Sequence, residues 1–200
     1  MSLTIPVAHD FVCPWCWVAL IQVRNLRAEF PVRFEWIGYE LWPPELPFPE
    51  PTPKPAPNPD RPPTPSRLEF LLHLEDITLP NVERPNRIRT THAHQAVEFA
   101  KLSGQGDRLL ESIYEAYWER GEAIHEPATI LSLARLLDLD LHALEGAMAN
   151  RLFRDQVIGF DDDAYASGIY NVPTITIGSI RYAEQPTKVL RQAIRSALSI

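Results

Sequence analysis

The chain has 200 residues, 45% of them hydrophobic, and a net charge of −7 from 19 basic and 26 acidic side chains. That length and apolar content support a globular chain with a sizeable core. The acidic balance excludes a general nucleic-acid binder, which needs a basic face, and no apolar run approaches the roughly 20 residues that span a bilayer.

Met1 to Pro6 has neither a basic leader nor an extended apolar run, so the N-terminus reads as a first strand over Leu3–Ala8 and not as a signal peptide. The expected compartment is the cytoplasm, where disulfides are usually transient and catalytic. Cys13-Pro14-Trp15-Cys16 contains the only two cysteines of the chain. A C-x-x-C where a strand meets a helix is the layout of a dithiol–disulfide redox site. The helix N-terminus favours negative charge, so a thiolate on Cys13 is expected to be stabilised. Cys16, one turn further in, is expected to be more buried and ready to resolve a mixed disulfide. Pro14 suits the first turn, where its missing N–H has no intrahelical partner. A structural staple is a poor alternative, because so small a loop removes little unfolded-chain entropy. A zinc site lacks a second cysteine pair, and no metal is expected.

The helix after the cysteines is predicted to run to about Glu29, and Pro31–Ile37 then alternates as a half-buried strand does. This is a βαβ unit. From Pro43 to Pro65 the chain carries twelve of its 20 prolines. Such a stretch is expected to be extended and PPII-like, a stiff covering loop, with an SH3-type ligand as the other reading. A helical block comes next, with a short helix over Arg67–Glu75 and helical spacing at Ala93, Ala96, Val97 and Ala100. The spacing continues at Leu109, Ile113, Ala116 and Tyr117, then at Ile130, Leu133, Ala134 and Leu137. A last helical stretch is predicted from Leu141 towards Ser167, with a break near Gly159. Val172-Pro173-Thr174-Ile175-Thr176-Ile177 is a β-rich run, Gly178-Ser179 a hairpin turn, and Pro186 opens a final helix.

That order, together with Cys13-Pro14-Trp15-Cys16, Gly168-Ile169-Tyr170-Asn171-Val172-Pro173-Thr174, Thr91-His92-Ala93-His94 and Ala116-Tyr117-Trp118-Glu119-Arg120-Gly121, resembles the DsbA-like family, most closely its cytoplasmic FrnE-type branch. The resemblance implies an α/β chain with a thioredoxin-like fold (βαβ then ββα) and an inserted all-helical domain. Residues 1–40 and 169–200 would form the thioredoxin-like domain, 41–66 the proline-rich loop and 67–168 the helical insertion. Two turn positions depart from the family pattern: Asn171, often glycine, and Ala183-Glu184-Gln185-Pro186, often G-A-Q-P.

The resemblance also implies a cis Val172–Pro173 bond facing the cysteines. Val172, Pro173, Pro14 and Trp15 would then form the substrate-docking edge. The implied reaction is thiol–disulfide exchange with protein or small-molecule substrates. Cys13 is the nucleophile and Cys16 the resolving thiol. No cofactor is needed beyond the redox-active disulfide, with glutathione a candidate co-substrate; neither nucleic acid nor membrane is an expected partner. His9, Asp10 and His94 are candidate modulators: a charged His9 would help the thiolate and Asp10 would oppose it unless turned away. Asp161-Asp162-Asp163 reads as a solvated or capping cluster, without EF-hand spacing. Two other functions fit the same layout. One is a glutathione-dependent isomerase or transferase of the hydroxychromene-carboxylate isomerase or kappa-class type, whose members usually lack the second cysteine. The other is a non-catalytic peptide-binding protein.

Overall fold

A computed structural model describes residues 3–50 and 64–199. Strand β1 (Thr4–His9) leads into helix α1 (Pro14–Glu29), and β2 (Arg33–Glu40) returns parallel to β1 over the full register from Thr4↔Arg33 to His9↔Gly38. β2 begins two residues later than the sequence pattern predicts, because Pro31 has no N–H to give a ladder. The next elements are helices α2 (Arg67–Glu75), α3 (Thr91–Lys101), α4 (Gly106–Trp118), α5 (Pro127–Arg135) and α6 (Leu141–Ala149). Ser66 and Glu69 close a reciprocal capping box on α2, and Asp140 caps α6 through the Ala143 N–H at 3.0 Å.

The helical stretch after Leu141 is interrupted near Gly159, as expected, but the interruption is wider and begins at Asn150. α6 stops before Asn150, Arg151 takes a left-handed φ of 49°, and Arg154–Gln156 make one 3₁₀ turn. Strand β3 (Ile158–Gly159) then pairs in parallel with the end of β2 and leads to helix α7 (Asp162–Ser167). A β-branched residue pair, Val157-Ile158, beside a glycine fits a sheet edge better than a helix interior. Strands β4 (Thr174–Ile177) and β5 (Ile180–Ala183) form the hairpin, turned by Gly178 at φ 62°, and α8 (Thr187–Leu198) closes the chain. The sheet order is β3-β2-β1-β4-β5, with β4 antiparallel to both its neighbours.

β1 is therefore central, and Ile5 and Val7 on it are fully buried. One hydrophobic cluster runs without interruption from Ile5 and Phe34 on the sheet through Leu20 on α1 to Leu109 and Ile113 on α4. The insertion thus shares its core with the sheet. Trp118, at the end of α4, marks the join. Its Nε1–H donates to the Phe11 carbonyl at 2.8 Å, and its ring stacks on Trp17 at 5.9 Å with 26° between planes.

The proline-rich stretch is described as far as Glu50. It makes a turn there, with Leu46 N–H donating to the Pro43 carbonyl at 3.1 Å, and no helix or strand. The expected extended run over 51–63, and the SH3-type reading attached to it, lie outside the described residues. The two family departures resolve simply. Asn171 is absent from the positive-φ positions, so glycine is not required there. Glu184 does adopt φ 54° and is held by Arg67 at 2.9 Å.

Replacing Trp118 with phenylalanine leaves the Phe11 carbonyl buried without its indole donor. The expected loss is about 1–3 kcal/mol, read as a lower urea midpoint in one cooperative transition, since both halves share a core.

Candidate active site

The turn after β1 delivers Cys13 to the N-cap of α1, with extended backbone (φ −80°, ψ 119°). Its carbonyl accepts from Cys16 N–H at 3.0 Å and Trp17 N–H at 3.2 Å, and its own N–H donates to Asp10 O at 3.3 Å. Pro14 stands at the first helical position. The Cys13 side chain makes no cap bond and donates instead to the Val172 carbonyl at 3.4 Å, across 159 residues of chain. The topology explains that meeting. β1 and β4 are antiparallel, with Ala8 opposite Thr174, so the residues entering β4 lie level with the residues leaving β1. The Val172–Pro173 bond is cis. Both cysteines are free thiols, Cys13 7% exposed and Cys16 0%. Trp15 and Pro14 are half-buried at the rim; Trp17 belongs to the core.

The two sulfurs sit in unlike surroundings. Burial first, then the adjacent Cys13 sulfur and the Asp10 carboxylate, push the Cys16 thiol well above its ordinary range, against a backbone hydrogen bond from Asp10. Cys16 is therefore held as a neutral thiol at physiological pH.

Behind the thiols lies a buried polar group, and its members do not all do what the sequence suggests. His9 is fully enclosed. Burial, then His94 and Lys101, hold its pKa well below the usual histidine range, so it is uncharged and cannot support a thiolate as a cation. It instead pairs through Nδ1 with the Tyr114 hydroxyl at 2.9 Å. That hydroxyl donates to the Asp10 carbonyl at 3.3 Å, which assigns the Nδ1–H tautomer to His9. The Asp10 side chain turns towards the end of β2, where Oδ2 accepts from Leu41 N–H at 2.8 Å. His94 reaches the same place from α3, with Nε2 3.6 Å from Asp10 Oδ1 and its ring 4.9 Å from that of Phe11. It is buried behind the turn, and does not overhang the thiols from the solvent side. Gly38 makes room for it: a Cβ there would lie 2.8 Å from His94 Nδ1. His92 points elsewhere, its Nδ1 3.1 Å from the His125 carbonyl. The Asp161 and Asp163 carboxylates face Arg154, at 3.9 and 2.6 Å.

Sequence spacing misses Tyr114 and Glu40. Tyr114 is completely buried, and its phenol pKa is pushed well up by burial, then by the Cys16 and Cys13 sulfurs. Its signal is a second stripe on α4, Tyr114 and Trp118 four residues apart, beside the aliphatic stripe. Glu40, last in β2, is 3% exposed, and burial raises its carboxyl pKa. Nothing in its alternating strand pattern distinguishes it from a solvent-facing acid.

The unlike sulfurs have a kinetic consequence. In a Cys13→Ser protein, alkylation of Cys16 by iodoacetamide at pH 7.5 should be at least about tenfold slower than alkylation of Cys13 in Cys16→Ser, because thiolate supply limits the rate. Peptide mass mapping gives both rates. His9 supplies a pH dependence of stability. Its folded pKa lies below the unfolded value of about 6.5, so the unfolded chain takes up the proton more readily. The contribution is complete above that value and is lost as pH falls towards the folded pKa. Urea midpoints should drop between pH 7 and 5, and His9→Gln should flatten that slope.

Comparison with known proteins agrees with this architecture. The profile of the DSBA-like thioredoxin domain matches residues 4–195. The uncharacterized protein YwbO of Bacillus subtilis (strain 168) is 27% identical over 183 residues, covering 89% of this chain and 88% of that one. Among solved structures, the probable DsbA oxidoreductase SCO1869 from Streptomyces coelicolor superposes with a TM-score of 0.71 at 19% identity, covering 99% and 91% of the two chains. The cytosolic disulfide reductase DsbM from Pseudomonas aeruginosa, solved with GSH, gives 0.67 at 18% identity over 99% and 100%. A 2-hydroxychromene-2-carboxylate isomerase gives 0.64 at 14% identity over 98% and 95%. These likenesses carry the fold. With the profile spanning nearly all of it, the chain belongs to the DSBA-like thioredoxin domain family.

Proposed function

We propose that this protein is a dithiol–disulfide oxidoreductase in which Cys13 exchanges with a substrate disulfide and Cys16 resolves the product. The observation that carries the reading is the Cys13 thiol against the Val172 carbonyl, with Cys16 enclosed one helical turn behind it. In the reducing direction the Cys13 thiolate attacks one sulfur of the substrate disulfide. A Cys13–substrate bond forms, the substrate S–S bond breaks, and the first thiolate leaves. Cys16 then loses its proton and attacks the Cys13 sulfur, and the second substrate thiolate leaves. The substrate gains two electrons and the pair becomes the Cys13–Cys16 disulfide. The reverse path oxidises a dithiol substrate, and the balance against the compartment's poise decides the direction.

Pro14, Trp15, Val172 and Pro173 form the edge against which an extended substrate would lie, with Val172 supplying a backbone acceptor beside the reacting sulfur. We place the protein in the cytoplasm and in the FrnE-type branch. The compartment rests on a cytosolic protein of the same fold. Glutathione is the candidate small-molecule co-substrate, since that relative was solved with it.

The isomerase of the same fold gives a second reading some weight. The enclosed thiol of Cys16 favours the redox reading, because glutathione-dependent isomerisation has no use for a resolving cysteine.

Equilibration across glutathione redox buffers decides between them, followed by tryptophan fluorescence, to which Trp15 and Trp17 beside Cys16 contribute, and by thiol count. The expected result is one reversible two-electron transition, abolished in both Cys13→Ser and Cys16→Ser, with Cys16→Ser accumulating mixed disulfides. A stable glutathione adduct on wild-type Cys13, with no intramolecular couple, would overturn the redox reading in favour of isomerase chemistry.

A further inference from the structure

A second concave site of about 670 Å³ lies between the N-terminus of α3, the end of α6 and the segment around Phe48. None of its lining residues belongs to the dithiol site. Three arginines, Arg87, Arg89 and Arg151, face it, and among the described residues no aspartate or glutamate lines it, although Glu45 pairs with Arg151 and Glu126 with His125. In a chain of net charge −7, that concentration of one sign asks for an explanation.

Arg89 donates to the carbonyls of Trp42 at 2.9 Å, Leu46 at 2.8 Å and Pro43, and Arg87 donates to Pro49 O at 2.9 Å. Neutral carbonyls satisfy N–H groups without removing their charge. Arg89 and Arg87 also lie over the Phe48 ring, at 4.6 and 5.6 Å. Among the described residues, no carboxylate pairs with either.

Arg151 gives Nη1 to Glu45 at 2.6 Å, while its Nε and Nη2 are buried and without a partner among the described residues. Those two nitrogens form the side-on edge that holds a carboxylate through parallel bonds. His125 adds a buried Nδ1 that is likewise without a partner among the described residues. The rest of the wall is apolar, led by Phe48, Ile88 and Met148.

We propose that this cleft binds a small amphipathic organic anion, its acidic head among Arg87, Arg89 and Arg151 and its apolar body on Phe48, Ile88 and Met148. The size suits such a ligand, since small-molecule sites commonly measure about 300–1,000 Å³. One internal competitor exists. Glu40 is buried nearby and feels the charge of Arg151, so its carboxylate is the group that would otherwise occupy the free edge.

The test is calorimetric titration of the whole protein with 1-naphthoate and with its neutral isostere 1-naphthamide. The expected result is one naphthoate per chain, bound at least about tenfold more tightly than naphthamide and weakened by salt. Arg151→Ala should lose about tenfold or more and Arg87→Ala several-fold, while Glu40→Gln changes little. Arg87 is exposed, so its variant serves as the check that does not depend on folding. Equal binding of the two probes, no naphthoate binding at millimolar concentration, or unchanged affinity in both arginine variants would overturn the proposal. So would binding seen only in Glu40→Gln, which would mean that the edge is closed on Glu40 in the native protein. The glutathione-buffer transition should be the same in Arg87→Ala and wild type, so either reading can fail without the other.

Discussion

The turn from His9 to Cys13 is held from four directions, and the dithiol has its geometry because of it. β1 fixes the entry in the centre of the sheet. Tyr114 bonds to His9 and the Asp10 carbonyl, Trp118 bonds to the Phe11 carbonyl, and the Leu41 N–H bonds to the Asp10 carboxylate. Five residues that leave a strand and enter a helix have backbone groups that neither element can satisfy. Here the inserted helices and the end of β2 supply the partners. The insertion is therefore part of the site's frame, and the continuous core between sheet and helices is the packing counterpart of these bonds.

From that frame comes the inequality of the two sulfurs. Cys13 stands at the mouth of the helix beside the Val172 carbonyl, just ahead of β4, and Cys16 is enclosed among Asp10, Tyr114 and the first cysteine. In the proposed exchange both directions need that inequality, because one sulfur would meet the substrate and the other would wait. Burial keeps Cys16 protonated, because a thiolate in an apolar enclosure loses its hydration.

Much of this was legible in the residues. Cys13-Pro14-Trp15-Cys16 between an apolar strand and an apolar helix placed the dithiol. Arg67–Glu75, bounded by Ser66 and the left-handed Asp76, is the short helix expected there. The proximity of Val172 to Cys13 came only with the family resemblance, since no local pattern joins residues 159 apart. Tyr114 and Glu40 were illegible for another reason. A buried phenol on an amphipathic helix and a buried acid at a strand end look like ordinary members of their patterns until the partner surface is known. Whether His9 carries charge was not legible, because that depends on burial, His94 and Lys101, all set by tertiary contact. The break near Gly159 was legible, but not that it forms a strand, because Ile158 and Gly159 pair with a strand more than a hundred residues earlier.

The enclosed character of the site also separates two electrostatic regimes in one molecule. Around Cys16 the acting charges and dipoles, Asp10, Tyr114 and the sulfur of Cys13, are all within the protein, where mobile ions do not reach and interactions are stronger than in water. Around the arginine cleft the charges face solvent, where a Debye length of about 8 Å at physiological salt limits their reach. Salt should then leave the chemistry between the sulfurs nearly untouched while altering what gathers at the cleft. Glu40 feels both regions: burial raises the pKa of its carboxyl, and of the charges around it His94 and Arg151 lower it while Asp10 raises it.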